Sequence, residues 1–314
     1  MPTPQERAAA IKAGTEKARR DFLAYTVDQE KTIYDLLQQS ADRIAARIEK
    51  AEKDGKIPAP RLRPLLDNIK AEMATLRPKI KGQIVKGMKN SIDYGIKAAV
   101  QGMVDAELSG GIKVGVGTSF VGKDGTVRRY DAQEETYQDS RWGKINKNAL
   151  DSLFKFPEGL ITISDRVWDM TWSVEKIVRN IIQKAIIQGD SAARVSRDIR
   201  GFLAQPLTLR GKAKEAYHPG VGTYKSAYQN AMRLARTEYN RAFNEGLYRY
   251  AAEKDWITGY IWHVGGSNPC EDCEALDGTP YDKGEEPDIP LHPNCMCYLE
   301  LVTDETRGAK TEST

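Results

Sequence analysis

Two short segments, Cys270-Glu-Asp-Cys273 and His292-Pro-Asn-Cys-Met-Cys297, decide how the C-terminal part of this chain folds. A Cys-x-x-Cys pair places two thiolates across a tight turn, as in one half of a zinc knuckle. His292 and Cys295 repeat the same two-residue gap. All four cysteines of the chain lie in these segments, whereas a disulfide framework usually spreads them through a small secreted domain. We therefore predict a structural zinc site with five candidate ligands: Cys270, Cys273, His292, Cys295 and Cys297.

Tetrahedral zinc needs four of these five ligands. The preferred set is Cys270, Cys273, His292 and Cys295, because two matching chelate loops close the site with the least strain. In the competing sets Cys297 replaces His292 or Cys295. The alternatives without metal are a Cys270–Cys273 disulfide or redox pair, or reduced cysteines that merely lie near one another. Residues 274–291 are acidic and proline-bearing, and they bury too little apolar surface to become ordered unaided. A metal ion supplies the missing stability.

Templates for a catalytic zinc fit this sequence poorly. Pro269 and the first cysteine pair match the P-C-x-x-C half of zinc deaminases, which also need an upstream H-x-E. Neither His218 nor His263 is followed by that glutamate. A nuclease of the HNH kind needs further histidines after His292, and the chain has none there. Four protein ligands also leave zinc no open position for water, so we expect a structural zinc that takes no part in catalysis.

The first third of the chain is predicted to be an all-helical assembly module at 1–108. One long helix runs from Gln5 to Lys53 and ends at the Gly/Pro-containing segment 54–60. A second helix covers Arg63 to Leu76, Pro78 breaks or kinks the chain, and a third helix follows from Lys81 to Leu108. The predicted core face of the first helix consists of Ile33, Leu37, Ala41, Ile44 and Ile48. In the third helix, an apolar residue recurs every four positions at Ile84, Met88, Ile92, Ile96, Val100 and Val104. Three glycines there predict close packing against a neighbour: Gly87, Gly95 and Gly102.

The remainder is predicted to be a β-hairpin and connector at 109–163, an α+β domain at 164–303 and a disordered tail at 304–314. The hairpin is indicated by alternating Val114 and Val116 and by a Lys-Asp-Gly turn at 123–125. In the α+β domain we expect a helix capped by Ser173 with an apolar face, a second helix capped by Asp190 or Ser191, and a long helix from Tyr224 to Glu253. The predicted apolar face of the first of these helices is Val174, Ile177, Ile181, Ile182 and Ala185. The predicted core face of the long helix is Met232, Tyr239, Phe243, Leu247 and Tyr250. Strands at 260–263 and 297–302 enclose a zinc subdomain at 257–302. The fold class is thus mainly α, with long N-terminal helices and a small zinc-stapled β subdomain.

Length, composition and charge suit a solvated protein of about two domains. The 314 residues are 40% hydrophobic and carry a net charge of +3. Residues 61–97 hold nine basic and three acidic side chains, whereas residues 241–304 hold four and thirteen. The basic stretch is a candidate contact for packaged DNA, but a solvated helix face is the favoured interpretation. It comprises Arg77, Lys79, Lys81, Lys86 and Lys89. The sequence shows no secretory signal, no membrane span, no P-loop and no nucleophile elbow.

From Ser164 to Val302 the sequence resembles the phage Mu protein F-like family of minor head, or head morphogenesis, proteins. The resemblance rests on Ala235-Arg-Thr-Glu238, Arg241, Asn244, Gly246, Trp262, Cys270, Cys273, Leu276-Asp-Gly278 and His292-Pro-Asn-Cys-Met-Cys297. Met296 stands where the family commonly has Arg. The resemblance implies a virion component at the portal vertex, made in the host cytoplasm, which binds portal, capsid or scaffold proteins during head assembly. The N-terminal helices are candidates for self-association, and a zinc-containing nucleic-acid-binding or nuclease-type protein is the alternative.

A polar stripe on the long helix has two interpretations. At helical spacing Arg233, Thr237, Asn240 and Asn244 fall opposite the aromatic face. They form either a recognition surface or a hydrogen-bond network that fixes the helix to the zinc subdomain, with Glu238 pairing with Arg241. We favour the network.

Overall fold

The computed structural model confirms a mainly helical fold with long N-terminal helices and a small C-terminal β region. It describes residues 3–107, 119–121, 127–129, 147–151, 153, 163–204, 226–252, 254–265 and 269–307. The helices are α1 (Pro4–Lys50), α2 (Ala59–Glu107), α3 (Ile163–Gln188), α4 (Ala192–Ala204), α5 (Ala227–Ala252), α6 (Glu271–Glu274) and α7 (Asp304–Arg307). The strands are β1 (Ser119–Val121), β2 (Val127–Arg129), β3 (Ile257–His263), β4 (Pro280–Asp282) and β5 (Tyr298–Thr303). No helix in these described ranges combines the length and the apolar character needed to cross a membrane.

The chain divides into two compact units, and neither is continuous in sequence. The first unit contains Met1–Thr26, Gly87–Phe156 and Arg236–Thr314. The second contains Val27–Lys86 and Pro157–Ala235. The sequential division into a helical module, a connector and a C-terminal domain remains a prediction.

In the second unit, α1 buries the face that the sequence predicted: Ile33, Leu37, Ala41, Ile44 and Ile48. Helix α1 ends at Lys50, and the chain turns back through Asp54 and Gly55, both with positive φ. The Gly55 carbonyl then accepts a hydrogen bond of 3.0 Å from the Ala192 amide at the start of α4. The predicted turn at 54–60 is therefore confirmed.

The prediction that Pro78 separates two helices is wrong. Helix α2 continues from Ala59 to Glu107 through Pro64 and Pro78. An interior proline removes one helical hydrogen bond and typically costs about 3 kcal/mol or more. Here Pro78 and Ala74, whose carbonyl loses its partner, are both exposed, so water can satisfy that carbonyl. Leu76 and Ile80 are buried on either side of Pro78, and their packing offsets the remaining cost.

The prediction that Ser173 caps a helix is wrong. Ser173 lies inside α3, which begins ten residues earlier, at Ile163. Its buried side chains are Met170, Val174, Val178, Ile182 and Ala185. Ile177, which we predicted on this face, is 36% exposed. Burying Met170 gains about 1.5–3 kcal/mol, more than the roughly 1 kcal/mol of an N-cap bond, so the helix extends past the serine.

The other predicted boundaries are largely confirmed. Gly189 ends α3 at φ +69°, and the Ser191 hydroxyl accepts a hydrogen bond from the Arg194 amide at the start of α4. Strand β1 pairs antiparallel with β2, as the predicted hairpin requires. The predicted turn of this hairpin at 123–125 and the valines at 114 and 116 lie outside the described residues. So do residues 130–146, residues 205–222, and Tyr224 and Glu253 at the predicted ends of the long helix.

The tail prediction is wrong for its first four residues, because Asp304–Arg307 form the short helix α7. The hydroxyl of Thr303 accepts a hydrogen bond from the Thr306 amide, and the Thr306 hydroxyl accepts one from the Thr303 amide. This reciprocal cap satisfies two amides that a frayed end would leave to water. Residues 308–314 lie outside the described part of the chain.

In the first unit, α2 and α5 pack backbone against backbone at glycines. A Cβ on Gly95 would lie closer than 3.0 Å to the Phe243 carbonyl oxygen, and one on Gly246 equally close to the Ile92 carbonyl oxygen. Gly87 likewise leaves room for the ring of Tyr239. The close packing predicted at Gly87 and Gly95 is thus confirmed, while the surroundings of Gly102 lie outside the described side chains.

The core faces of these two helices also match the prediction. Helix α5 buries Met232, Tyr239, Phe243, Leu247 and Tyr250. Helix α2 buries Ile84, Met88, Ile92 and Ile96. Val100 is half-buried, and the side chain at 104 lies outside the described ones.

The β region of the first unit is a three-stranded antiparallel sheet in the order β4-β3-β5. Both predicted strands are present, each displaced or extended by a few residues, and β4 at 280–282 is an addition to the prediction. Trp262, Tyr260, Leu299 and Leu301 are buried in this sheet. Gly278, with φ +75°, forms the predicted turn after Asp277.

A buried carboxylate in the second unit gives a pH-dependent prediction. Glu72 is 4% exposed and lies 2.8 Å from an Arg43 nitrogen and 3.6 Å from an Arg47 nitrogen. Burial alone would raise the pKa of Glu72, but the hydrogen bond and charge of Arg43, aided by Arg47, hold this pKa below its usual 4.5. The charged form of Glu72 therefore stabilises the folded state. This stabilisation is present above a pH of about 4.5 and is lost as the pH falls through the lowered pKa of Glu72.

We expect Glu72→Gln to lower the free energy of unfolding by about 1.5–3 kcal/mol at pH 7, the usual range for a hydrogen bond to a charged group. Urea unfolding of both proteins at pH 7 and at a pH below the lowered pKa of Glu72 measures it. The difference should shrink at the lower pH because protonation of Glu72 then removes the ion pair. An equal difference at both pH values would contradict the assigned ion pair.

Candidate metal centre

The first ligand pair is positioned by one helical turn. Cys270 directly precedes α6, and its carbonyl accepts a hydrogen bond of 2.9 Å from the Glu274 amide. Cys273 lies within α6 and is buried, whereas Cys270 is half-buried. Residues three apart in a helical turn present their side chains on the same side, so both thiols face one point.

The second ligand pair is positioned by a turn that a left-handed residue allows. The Cys295 amide donates to the His292 carbonyl at 3.0 Å. Asn294 between them has φ +64°, a conformation that asparagine tolerates better than most residues. The Asn294 amide donates to the Thr237 hydroxyl of α5 at 3.0 Å, which ties this turn to the helix.

The structure brings all five predicted ligands together, in two groups of three that share Cys273. One group is Cys270, Cys273 and His292, and the other is Cys273, Cys295 and Cys297. Within each group the ligand atoms lie within 4.8 Å of one another. The four cysteines are free thiols. This cluster could hold a metal ion.

His292 presents the nitrogen that a metal would need. Its Nε2 lies 3.1 Å from the Cys270 Sγ and 3.2 Å from the Cys273 Sγ. Its Nδ1 lies 2.9 Å from the Pro293 carbonyl oxygen. That carbonyl can only accept, so Nδ1 carries the proton and donates it, which leaves the lone pair on Nε2. A hydrogen bond of this kind orients a metal-binding imidazole.

The buried thiols differ in their tendency to ionise. A hydrogen bond from Cys297 lowers the pKa of Cys295 to about 5, whereas the same hydrogen bond raises the pKa of Cys297. Burial raises the pKa of Cys273 to about 12. Cys295 is thus the more readily ionised of the two neighbouring thiols.

Helix α5 holds the second ligand segment through the predicted polar stripe. The Asn240 Nδ2 donates to the Cys297 carbonyl at 2.9 Å, and the Asn244 Nδ2 donates to the Asn240 carbonyl at 2.9 Å. Both asparagines are fully buried. With Thr237, they form the expected network between helix and ligand segment. Arg233, the fourth member of the stripe, bonds the side-chain oxygen of Asn230 one turn earlier.

The ion pair predicted on the same helix is also present. A carboxylate oxygen of Glu238 lies 3.7 Å from the Arg241 Nε, and Glu238 is buried.

The backbone between Cys295 and Cys297 is held by two residues that the sequence did not single out. A Cβ on Gly265 would lie closer than 3.0 Å to the Met296 carbonyl oxygen, so only glycine allows this approach. The same carbonyl accepts a hydrogen bond from the Arg19 Nη2 of α1. No local pattern connects α1 with residue 296, and only the fold shows this contact.

Among the described residues, His263 belongs to neither group of candidate ligands. The His263 Nε2 lies 2.7 Å from a Glu300 carboxylate oxygen on the neighbouring strand, and its ring stacks on Tyr298. His218 lies outside the described residues.

The five basic residues proposed to contact DNA all belong to α2. Lys79, Lys81 and Lys86 are exposed, while Arg77 and Lys89 are half-buried. The DNA contact remains a prediction.

Comparisons of this chain with protein-family models, with curated proteins and with solved structures find no match. The resemblance to the phage Mu protein F-like family therefore rests on the quoted motifs.

Proposed function

We propose that this protein is a non-enzymatic minor head protein of a tailed phage that binds the portal during head assembly. One observation carries the proposal: the motifs behind the family resemblance are in contact with one another. Thr237 and Asn244, from the motif on the long helix, bond the segment that contains His292 and the last two cysteines. Motifs more than 50 residues apart in sequence thus form one structural element, which suits a rigid docking domain.

The metal that fits the cluster best is zinc. With bonds of about 2.3 Å to sulfur and 2.0–2.1 Å to nitrogen, tetrahedral zinc places two sulfurs about 3.8 Å apart and sulfur and nitrogen about 3.6 Å apart. The Cys273 and Cys295 sulfurs are 3.9 Å apart, and the two sulfur–nitrogen distances to His292 are 3.1 and 3.2 Å. Sulfur and imidazole ligands of this kind select zinc over magnesium or calcium.

The preferred ligand set stays Cys270, Cys273, His292 and Cys295, with Cys297 as the fifth thiol. The His292 Nε2 lies close to the sulfurs of both Cys270 and Cys273. A set with Cys297 in place of His292 would lose these two short nitrogen–sulfur distances. Four protein ligands leave no site for water or substrate, and the ion therefore acts as a structural clamp. It orders an acidic segment that has little apolar surface of its own.

Portal binding is tested by co-expressing the full chain with the portal protein encoded by the same phage, and with the portal of an unrelated phage as a control. We expect the chain to co-elute with its own portal in gel filtration and to be detected in purified virions. Its absence from virions and from the portal fraction would contradict the proposal. Metal-dependent cleavage of DNA by the purified chain would instead support the nuclease-type alternative.

Binding to DNA through the exposed lysines of α2 is a separate part of the proposal. Retention on DNA should fall steeply with rising salt, because each phosphate contact releases counterions. Retention that is absent or independent of salt would dismiss it.

A further inference from the structure

Arg19 is a buried cation without a carboxylate partner in the part of the chain that the structure describes. Its side chain is 3% exposed, and its Nη2 donates to the Met296 carbonyl. Its Nε and Nη1 have no hydrogen-bond partner among the described residues. It forms no ion pair with a described carboxylate, Glu16 one turn earlier included. A buried charge costs free energy unless something nearby compensates it.

Three aromatic rings surround the guanidinium and provide part of that compensation. Its central carbon lies 4.7 Å from the centroid of Phe22, 4.8 Å from that of Phe243 and 5.3 Å from that of Tyr298. Cation–π contacts are attractive, but the rings carry no net charge. Full compensation of the positive charge of Arg19 therefore needs another group, one that carries a negative charge.

The guanidinium also holds the backbone between two of the candidate metal ligands. Its Nη2 donates to the carbonyl of Met296, which lies between Cys295 and Cys297. Zinc bound by three thiolates and one neutral imidazole carries one net negative charge, whereas four thiolates would give two. One guanidinium balances the first of these sets. Neutrality of the combined group matters because the site is largely buried and charges interact strongly there.

We propose that Arg19 is the counter-ion of an anionic metal–thiolate centre and couples metal binding to the docking of helix α1. This inference rests on the proposed metal site. It assigns a positioning role to a residue about 250 positions before the first ligand. The N-terminal part of α1 and the metal segment thus stabilise each other: the bound metal supplies the charge that Arg19 lacks, and Arg19 favours the thiolates that the metal needs.

The inference predicts how metal affinity responds to the charge at this position. Arg19→Met keeps a long, unbranched side chain that can pack against the rings, but it removes the charge and the hydrogen bond to the Met296 carbonyl. It should lower zinc affinity about 10–100-fold, the usual effect of losing an outer-sphere partner of a metal ligand. Arg19→Lys keeps the charge and should stay within about threefold of the wild type. Arg20→Met is the matched control, because Arg20 is the next residue of the same helix and is exposed, and it should leave the affinity unchanged.

Zinc affinity is measured by competition of the full chain with a chromogenic chelator, with cobalt substitution as a check on the ligand set. The cobalt spectrum of Arg19→Met at full occupancy should match that of the wild type, since all ligands remain. A purely structural role would instead lower the stability of the metal-free protein, whereas we expect thermal unfolding of metal-free Arg19→Met to be unchanged or raised.

Two results would overturn the inference. One is a zinc affinity of Arg19→Met equal to that of the wild type, and the other is a loss in Arg19→Lys of more than about tenfold. Should Arg19→Met fail to fold, Arg19→Gln, which also removes the charge, takes its place in the comparison with Arg19→Lys. Failure of the wild type itself to bind zinc would contradict the metal site, which keeps the two proposals distinguishable.

Discussion

Replacing Cys273 with serine is expected to abolish metal binding and to unfold the segment between β3 and β5. Cys273 belongs to both groups of ligands, so its loss breaks the preferred four-ligand set and both competing sets. Structural zinc contributes about 10–16 kcal/mol of binding free energy in zinc-finger peptides, and most of that contribution disappears with a ligand. The expected results are loss of bound zinc and increased exposure of Trp262, which is fully buried, seen as a red shift of its fluorescence.

Cys297→Ser is the matched control for this prediction. A serine hydroxyl can still donate to the Cys295 thiolate, so zinc affinity should fall by no more than about tenfold. Cys295→Ser should behave like Cys273→Ser. The assignment of Cys297 as the fifth thiol is wrong if Cys297→Ser loses zinc while Cys295→Ser retains it.

Gly95→Ala is expected to destabilise the first unit strongly. Alanine normally stabilises a helix interior by about 0.5–1 kcal/mol relative to glycine. Here the added Cβ would meet the Phe243 carbonyl oxygen at less than 3.0 Å, and a backbone atom cannot rotate away. Helices α2 and α5 would have to separate, so we expect a loss of about 1–3 kcal/mol in the free energy of unfolding. Urea unfolding followed by circular dichroism measures it.

Gly82→Ala serves as the control in the same helix. No atom lies within 4 Å of a Cβ at Gly82, so this variant should gain the usual helix stabilisation of about 0.5–1 kcal/mol. Opposite signs for the two variants are the expected outcome. A gain in both would show that α2 and α5 do not pack as closely as described.

Features that follow from local periodicity and spacing could be predicted from the sequence. The apolar residues of α1 recur on one face, and they are the residues that the structure buries. The ligand cluster follows from two identical gaps between cysteine and histidine residues, and the structure brings those ligands together. The glycines of α2 indicated a close neighbour, although the sequence did not show which one.

Two kinds of feature could not be predicted: helix ends at which burial of apolar residues outweighs a local signal, and contacts between distant parts of the chain. Pro78 and Ser173 are local signals for a helix end, and in both cases burial of apolar residues further along outweighs the signal. The discontinuous units arise because segments near both ends of the chain pack together. The contact of Arg19 with Met296 joins positions 277 residues apart, and no spacing within α1 could indicate it.

The zinc content of the purified full chain tests the central claim most directly. Native mass spectrometry of protein produced in zinc-containing medium, before and after treatment with a chelator, measures both the identity and the number of bound ions. The account predicts one zinc ion per chain, lost on chelation together with the burial of Trp262. Protein that is folded but carries far less than one zinc ion per chain would contradict it.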